Sequence, residues 1–128
     1  MTTQEKTMTT QEIASRLVDL CRKGQFEQAL RELYAENAVS IEPESAAEQG
    51  WQVRTEGLNN MFKKSEQWNN MVEEIHGLTV SDPLITGSGI AFTAIMDVTM
   101  KGGQRMKVEE ICVYQAKDGK IISEQFFN

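Results

Sequence analysis

Apolar positions recur along this chain in two periods, at helical spacing through the first half and by alternation through the second. Ile13, Ala14, Leu17, Val18 and Cys21 share one helical face, while Glu12, Ser15, Arg16, Asp19 and Arg22 hold the other. Thr9 with Glu12 three residues later fits a capping box, and Lys23-Gly24 supplies a left-handed exit. Phe26, Ala29, Leu30, Leu33 and Tyr34 repeat the pattern, which predicts a helical hairpin with a short connection. Ala35 to Ala38 breaks the second helix. Val39-Ser-Ile-Glu-Pro43 then reads as a short strand stopped by a proline that cannot donate to a ladder. Residues 44 to 54 read as a loop around Trp51, and Thr55 as the cap of a third helix carrying Leu58, Met61, Phe62 and Trp68.

From Met71 the period is two. Glu74, His76, Leu78 and Val80 alternate on one side of a strand, and Asp82-Pro83 marks a turn. After Gly87-Ser-Gly89 comes a long strand, Ile90 to Met100, with Phe92, Ala94, Met96 and Val98 on one face. Past Lys101-Gly-Gly-Gln104, two runs rich in Ile, Val, Tyr and Phe flank Asp118-Gly119, a dipeptide suited to the positive backbone angles of a tight hairpin. In the first run Met106, Val108, Glu110, Cys112 and Tyr114 share a face, and Lys107, Glu109, Ile111, Val113 and Gln115 the other. The second set is the more polar, so the first is expected to face inward, taking the Glu110 carboxylate with it. Helices first and consecutive antiparallel strands afterwards predict an α+β domain.

Composition narrows the class. A chain of 128 residues is one domain with its own core. Forty per cent hydrophobic and 25% charged residues argue against disorder. No apolar run approaches a bilayer span, and Met1-Thr-Thr-Gln-Glu-Lys6 lacks the apolar segment of a signal peptide, so a cytoplasmic protein without membrane partners is expected. The net charge of −6 opposes a phosphate backbone, which argues against nucleic acid. Cys21 and Cys112 have no metal-ligand spacing and read as reduced packing residues. Residues 1 to 8 read as a polar, disordered tail, in which Met1-Thr-Thr-Gln-Glu5 recurs as Met8-Thr-Thr-Gln-Glu12; the domain is expected over 9 to 128.

The order of two helices, a short strand ending in Pro, a third helix and a four-stranded meander resembles the nuclear-transport-factor-two-like superfamily. The local matches are Leu33-Tyr-Ala-Glu-Asn-Ala-Val-Ser-Ile-Glu-Pro43, at the helix-to-strand passage, and Val113-Tyr-Gln-Ala-Lys-Asp-Gly-Lys-Ile121, at the final hairpin. Within that group the chain most resembles the SnoaL-like proteins. The resemblance implies a cone-shaped curved antiparallel sheet wrapped around three helices, an internal pocket and a homodimer. It also implies chemistry like that of ketosteroid isomerase or the polyketide cyclases. Glu42 matches the place of the isomerase's general base. Its oxyanion donors fall near Leu17 and near Cys112 or Ile111, which cannot act as such. The cyclases' carboxylate on the penultimate strand falls at Cys112, with Glu110 one inward step away.

Glu42, His76 and Glu110 are therefore the candidate catalytic residues, and Trp51, Phe92, Met96, Cys112, Tyr114 and Gln125 the candidate ligand-binding ones. Each also has a plain structural reading. Glu110 is either an acid/base tuned by desolvation or a carboxylate paired at the rim. His76 is either a partner for those acids or, with a one-residue slip, a surface imidazole. Gln125 faces Cys112 if the Asp118-Gly119 turn is a two-residue loop, with Glu124 outward; an odd loop reverses this. Two functions remain open: proton transfer next to a carbonyl in a small, mostly apolar molecule, needing no cofactor and no metal, or a non-catalytic ligand-binding or dimerisation module.

Overall fold

A computed structural model describes residues 7–128. The expected tail over 1–8 lies outside the described residues except for Thr7 and Met8, and Met8 packs against the core. Helix α1 (Thr10–Arg22) opens on the capping box: Glu12 N–H donates to Thr9 Oγ1 at 3.1 Å and Thr9 N–H to Glu12 Oε1 at 3.0 Å. Its buried stripe of Ile13, Ala14, Leu17, Val18, Leu20 and Cys21 forms the centre of the core. Gly24, at φ +71°, turns the chain into helix α2 (Phe26–Leu33).

Tyr34 does not extend that helix; it opens strand β1 (Tyr34–Ile41). Pro43 ends the extended segment, and a 3₁₀ turn over Glu44–Gln49 occupies the expected loop. Thr55 is not a helix cap. It is buried in a short strand, β2 (Arg54–Glu56), opposite Ser40, and Gly57, at φ +87°, begins helix α3 (Leu58–Met71). A β-branched residue gains more from that ladder than from a cap one turn early.

The remaining strands are β3 (Val72–Val80), β4 (Leu84–Ile85), β5 (Gly89–Met100), β6 (Arg105–Lys117) and β7 (Lys120–Phe127). The sheet runs β2-β1-β7-β6-β5-β3, with β4 on β5. It curls without closing, and the helices cover its concave side. All pairings are antiparallel except β1 with β7, which is parallel. That contact brings the segment before Pro43 beside the C-terminal strand. The last hairpin is closed by Asp118 (φ 51°) and Gly119 (φ 79°), the two positive angles of a two-residue turn. Among the described residues, no helix is long and apolar enough to cross a membrane.

Candidate functional site

Between the concave face of the sheet and the helices lies a cavity of about 790 Å³. Alternation along β6 directs Met106, Val108, Glu110, Cys112 and Tyr114 into it, as the hairpin pattern predicts. Phe92 and Met96 enter from β5, and Trp51 from the loop after the 3₁₀ turn. Trp51 meets Trp68 of α3 with ring centroids 6.2 Å apart, forming an aromatic wall. Tyr114 stacks on Phe92 at 5.3 Å and meets Phe126 edge-on at 6.4 Å. These rings make the interior mostly apolar and give it a defined shape.

Two expected site residues lie elsewhere, each displaced by one extra residue in a strand. On β3, Ile75 pairs with Val98 and Gly77 with Asp97, so His76 is a bulge residue and the alternation behind it reverses. His76 consequently sits on the outer face, its Nε2 2.6 Å from Thr99 Oγ1, and does not line the cavity. On β7, Ile121 pairs with Ala116 and Ser123 with Gln115, which makes Ile122 the extra residue. The Asp118-Gly119 turn is a two-residue loop, yet the bulge cancels its parity. Gln125 is opposite Val113 and exposed; Glu124 is opposite Tyr114, buried, and lines the cavity.

Glu124 anchors a chain of polar contacts. Tyr34 Oη donates to its Oε1, and Ser40 Oγ donates to its Oε2 at 2.6 Å. Lys64 Nζ, reaching in from α3, donates to Ser40 Oγ at 2.7 Å and to Glu42 Oε1 at 2.8 Å. Its distance to Glu124 Oε2 is 4.0 Å. Glu42 thus does face the cavity, but as half of a partly sheltered ion pair. Burial pushes the Glu124 carboxyl above its usual range, against the opposing pull of Lys64 and the two hydroxyl donors.

Glu110 differs from both. No side chain among the described residues hydrogen-bonds to it, and it sits between Val108 and Cys112 on the cavity wall, opposite Ala94. Desolvation, followed by repulsion from Glu42 and Glu124, raises its pKa from 4.5 to about 7, with Lys64 pulling the other way. An acid so poised gives and takes protons equally well near neutrality. Desolvation also pushes the Cys21 thiol up to about 12, and Cys112 is raised too, so both cavity thiols stay protonated and unreactive. Among the described residues no group of His, Cys, Asp or Glu is arranged to hold a metal ion.

No site role for Tyr34, Ser40 or Lys64 is expected from the sequence, and Glu124 is expected to face inward only with a loop of odd length. For Lys64 a signal existed, because Met61, Lys64 and Trp68 fall on one stripe of α3 at helical spacing and all three line the cavity.

A curled sheet backed by helices thus encloses a mostly apolar cavity into which the carboxyls of Glu42, Glu110 and Glu124 face. The match to the family model for the SnoaL-like domain covers residues 8–128, and the chain belongs to that family. Among solved structures it is similar to a candidate SnoaL-like polyketide cyclase of Mesorhizobium loti, at 30% identity and TM-score 0.85 over 94% of this chain and 100% of that one. It shares its fold with a hypothetical protein of Catenulispora acidiphila that has a ketosteroid isomerase-like fold and was solved with trimethylamine, at 19% identity and TM-score 0.71 over 94% and 87% of the two chains. It also shares it with a protein of unknown function of Xanthomonas campestris that has a cystatin-like fold, at 15% identity and TM-score 0.75 over 94% and 90%. No curated protein matches the chain.

Proposed function

We propose that this protein is an isomerase- or cyclase-like enzyme that moves a proton at a carbon next to a carbonyl in a small, mostly apolar molecule, with Glu110 as the acid/base. The observation that carries this reading is Glu110 itself, a cavity-facing carboxyl without a hydrogen-bond partner among the described residues, whose pKa is raised to about 7. A structural carboxylate would be paired, as Glu42 is with Lys64. The cyclase and isomerase-like descriptions of its structural neighbours support the same class of chemistry.

Exchange of the α-protons of 2-tetralone for deuterium, followed by NMR in D₂O near neutrality, tests it without the natural substrate. The protein accelerates exchange above buffer, and Glu110→Gln lowers the rate by roughly 100-fold or more. No acceleration by the wild-type protein refutes the proposal.

The ion pair that occupies Glu42, in the place of the isomerase's base, favours a second reading, a ligand-binding module without turnover. In that case 2-tetralone binds, exchange stays at the buffer rate, and Glu110→Gln leaves affinity nearly unchanged. For either reading we propose a homodimer through the outer sheet face, where Ile111 is 51% and Phe127 45% exposed, flanked by half-buried Val113. Sedimentation giving a monomer mass at micromolar concentration contradicts this.

A further inference from the structure

The proton-transfer reading lacks one part, a group to receive the negative charge that develops on the substrate's oxygen. Gln125 and Tyr114, both expected from the sequence to bind ligand, do not supply it: Gln125 faces outward and Tyr114 is buried against Phe92 and Phe126. Among the described residues two cations border the cavity, Lys64 and Lys107. Lys107 has the outward parity of β6, opposite Asp97, and is exposed. Lys64 has the inward position, with its side chain 18% exposed. An ammonium carries three N–H donors. Two are used, on Ser40 Oγ and Glu42 Oε1, and Glu124 at 4.0 Å is beyond hydrogen-bond reach. The third has no partner among the described residues. Ser40, Glu42 and the face of Phe126, 6.0 Å from Nζ, hold the ammonium in place.

We propose that Lys64 is a second catalytic residue, whose free N–H holds the substrate's carbonyl oxygen, and that the substrate is an uncharged carbonyl compound. This rests on Glu110 being the acid/base. In the step, the α C–H bond breaks and its proton passes to a Glu110 oxygen. The C–H electron pair becomes the new C=C bond, and the carbonyl π pair moves onto the oxygen as an enolate. One negative charge leaves Glu110 and one appears beside Lys64, so the net charge of the site is unchanged. A ligand that arrives as an anion meets Glu42, Glu110 and Glu124 together and is disfavoured. One that becomes anionic only as Glu110 is neutralised is not. The fixed ammonium, held before the reaction, takes the role that a pair of neutral donors plays elsewhere.

The test uses 2-tetralone exchange and 2-naphthol, whose ionised form mimics the tetralone enolate, with Lys64→Met and the double variant Lys64→Met/Glu42→Gln. The double variant removes both partners of the ion pair and guards against misfolding through an orphaned Glu42. Both variants lower kcat for exchange roughly 100-fold while KM for tetralone changes little. Wild-type protein shows the naphtholate absorbance band at a pH where free 2-naphthol is neutral, and the double variant does not. An unchanged kcat, or a naphtholate band equally strong in the double variant, overturns the role of Lys64. If exchange then still requires Glu110, the proton-transfer reading stands without Lys64; if wild-type protein gives no exchange, both fall.

Discussion

Replacing Glu110 by Gln removes the ionisable group and keeps its shape, so its effect on stability must depend on pH. The Glu110 carboxyl titrates at about 7 in the folded chain and near 4.5 when exposed. At ~1.4 kcal/mol per pH unit that gap corresponds to ~3 kcal/mol. The folded pKa is raised, so the stabilising contribution is fully present below pH 4.5 and is lost as the pH rises through 7. Below that window wild type and Glu110→Gln have similar stability. Above pH 8 the variant is the more stable by about 3 kcal/mol, because the wild type alone holds a desolvated carboxylate. Urea unfolding of both proteins at pH 4.5, 6, 7 and 8.5 measures the difference, and subtraction cancels the titration of groups the two proteins share. A stability difference that stays constant across this range refutes the reasoning, since it places the carboxyl in water or in a permanent ion pair.

Other consequences follow from the strand registers. Glu124→Ala strands the hydroxyls of Tyr34 and Ser40 and costs about 2–4 kcal/mol, whereas Gln125→Ala shifts stability by less than ~0.5 kcal/mol, both read from urea midpoints. His76→Ala leaves 2-tetralone exchange at the wild-type rate; a substantial loss would place His76 in the cavity rather than beside Thr99. Gly119→Ala destabilises by about 1–2 kcal/mol, because an L side chain at φ +79° is strained and its Cβ would press on Thr7; equal thermal stability would contradict the turn.

The elements were legible where one local signal decided them. The Thr9–Glu12 box, the stripe on α1, the Asp118-Gly119 turn and the inward face of β6 all follow from short-range chemistry. Errors arose where one residue changed a parity. His76 and Ile122 are bulges, and no residue type marks them, because each strand adapts its twist to partners distant in sequence. Tyr34 reads as helical by spacing, yet the parallel pairing of β1 with β7 claims it, a contact between segments some 90 positions apart in the chain. Glu124 carries no local mark of function, and Lys64 only its place at helical spacing with Met61 and Trp68. They matter because Ser40, between them, is buried at a junction of three elements, and such a junction is a property of the fold. Glu110 was the exception, since a single acid in a run of inward apolar positions already asks for a reason.

Proton transfer in this cavity requires Glu110 to be a proton carrier at neutral pH. Carbon-13 NMR titration of its side-chain carboxyl, assigned by loss of the signal in Glu110→Gln, measures that property directly. A midpoint near 7 is expected in the empty protein, moving down when Glu42 is changed to Gln because one repelling charge is gone. A midpoint between about 4 and 5, the range of a solvated glutamate, contradicts the account.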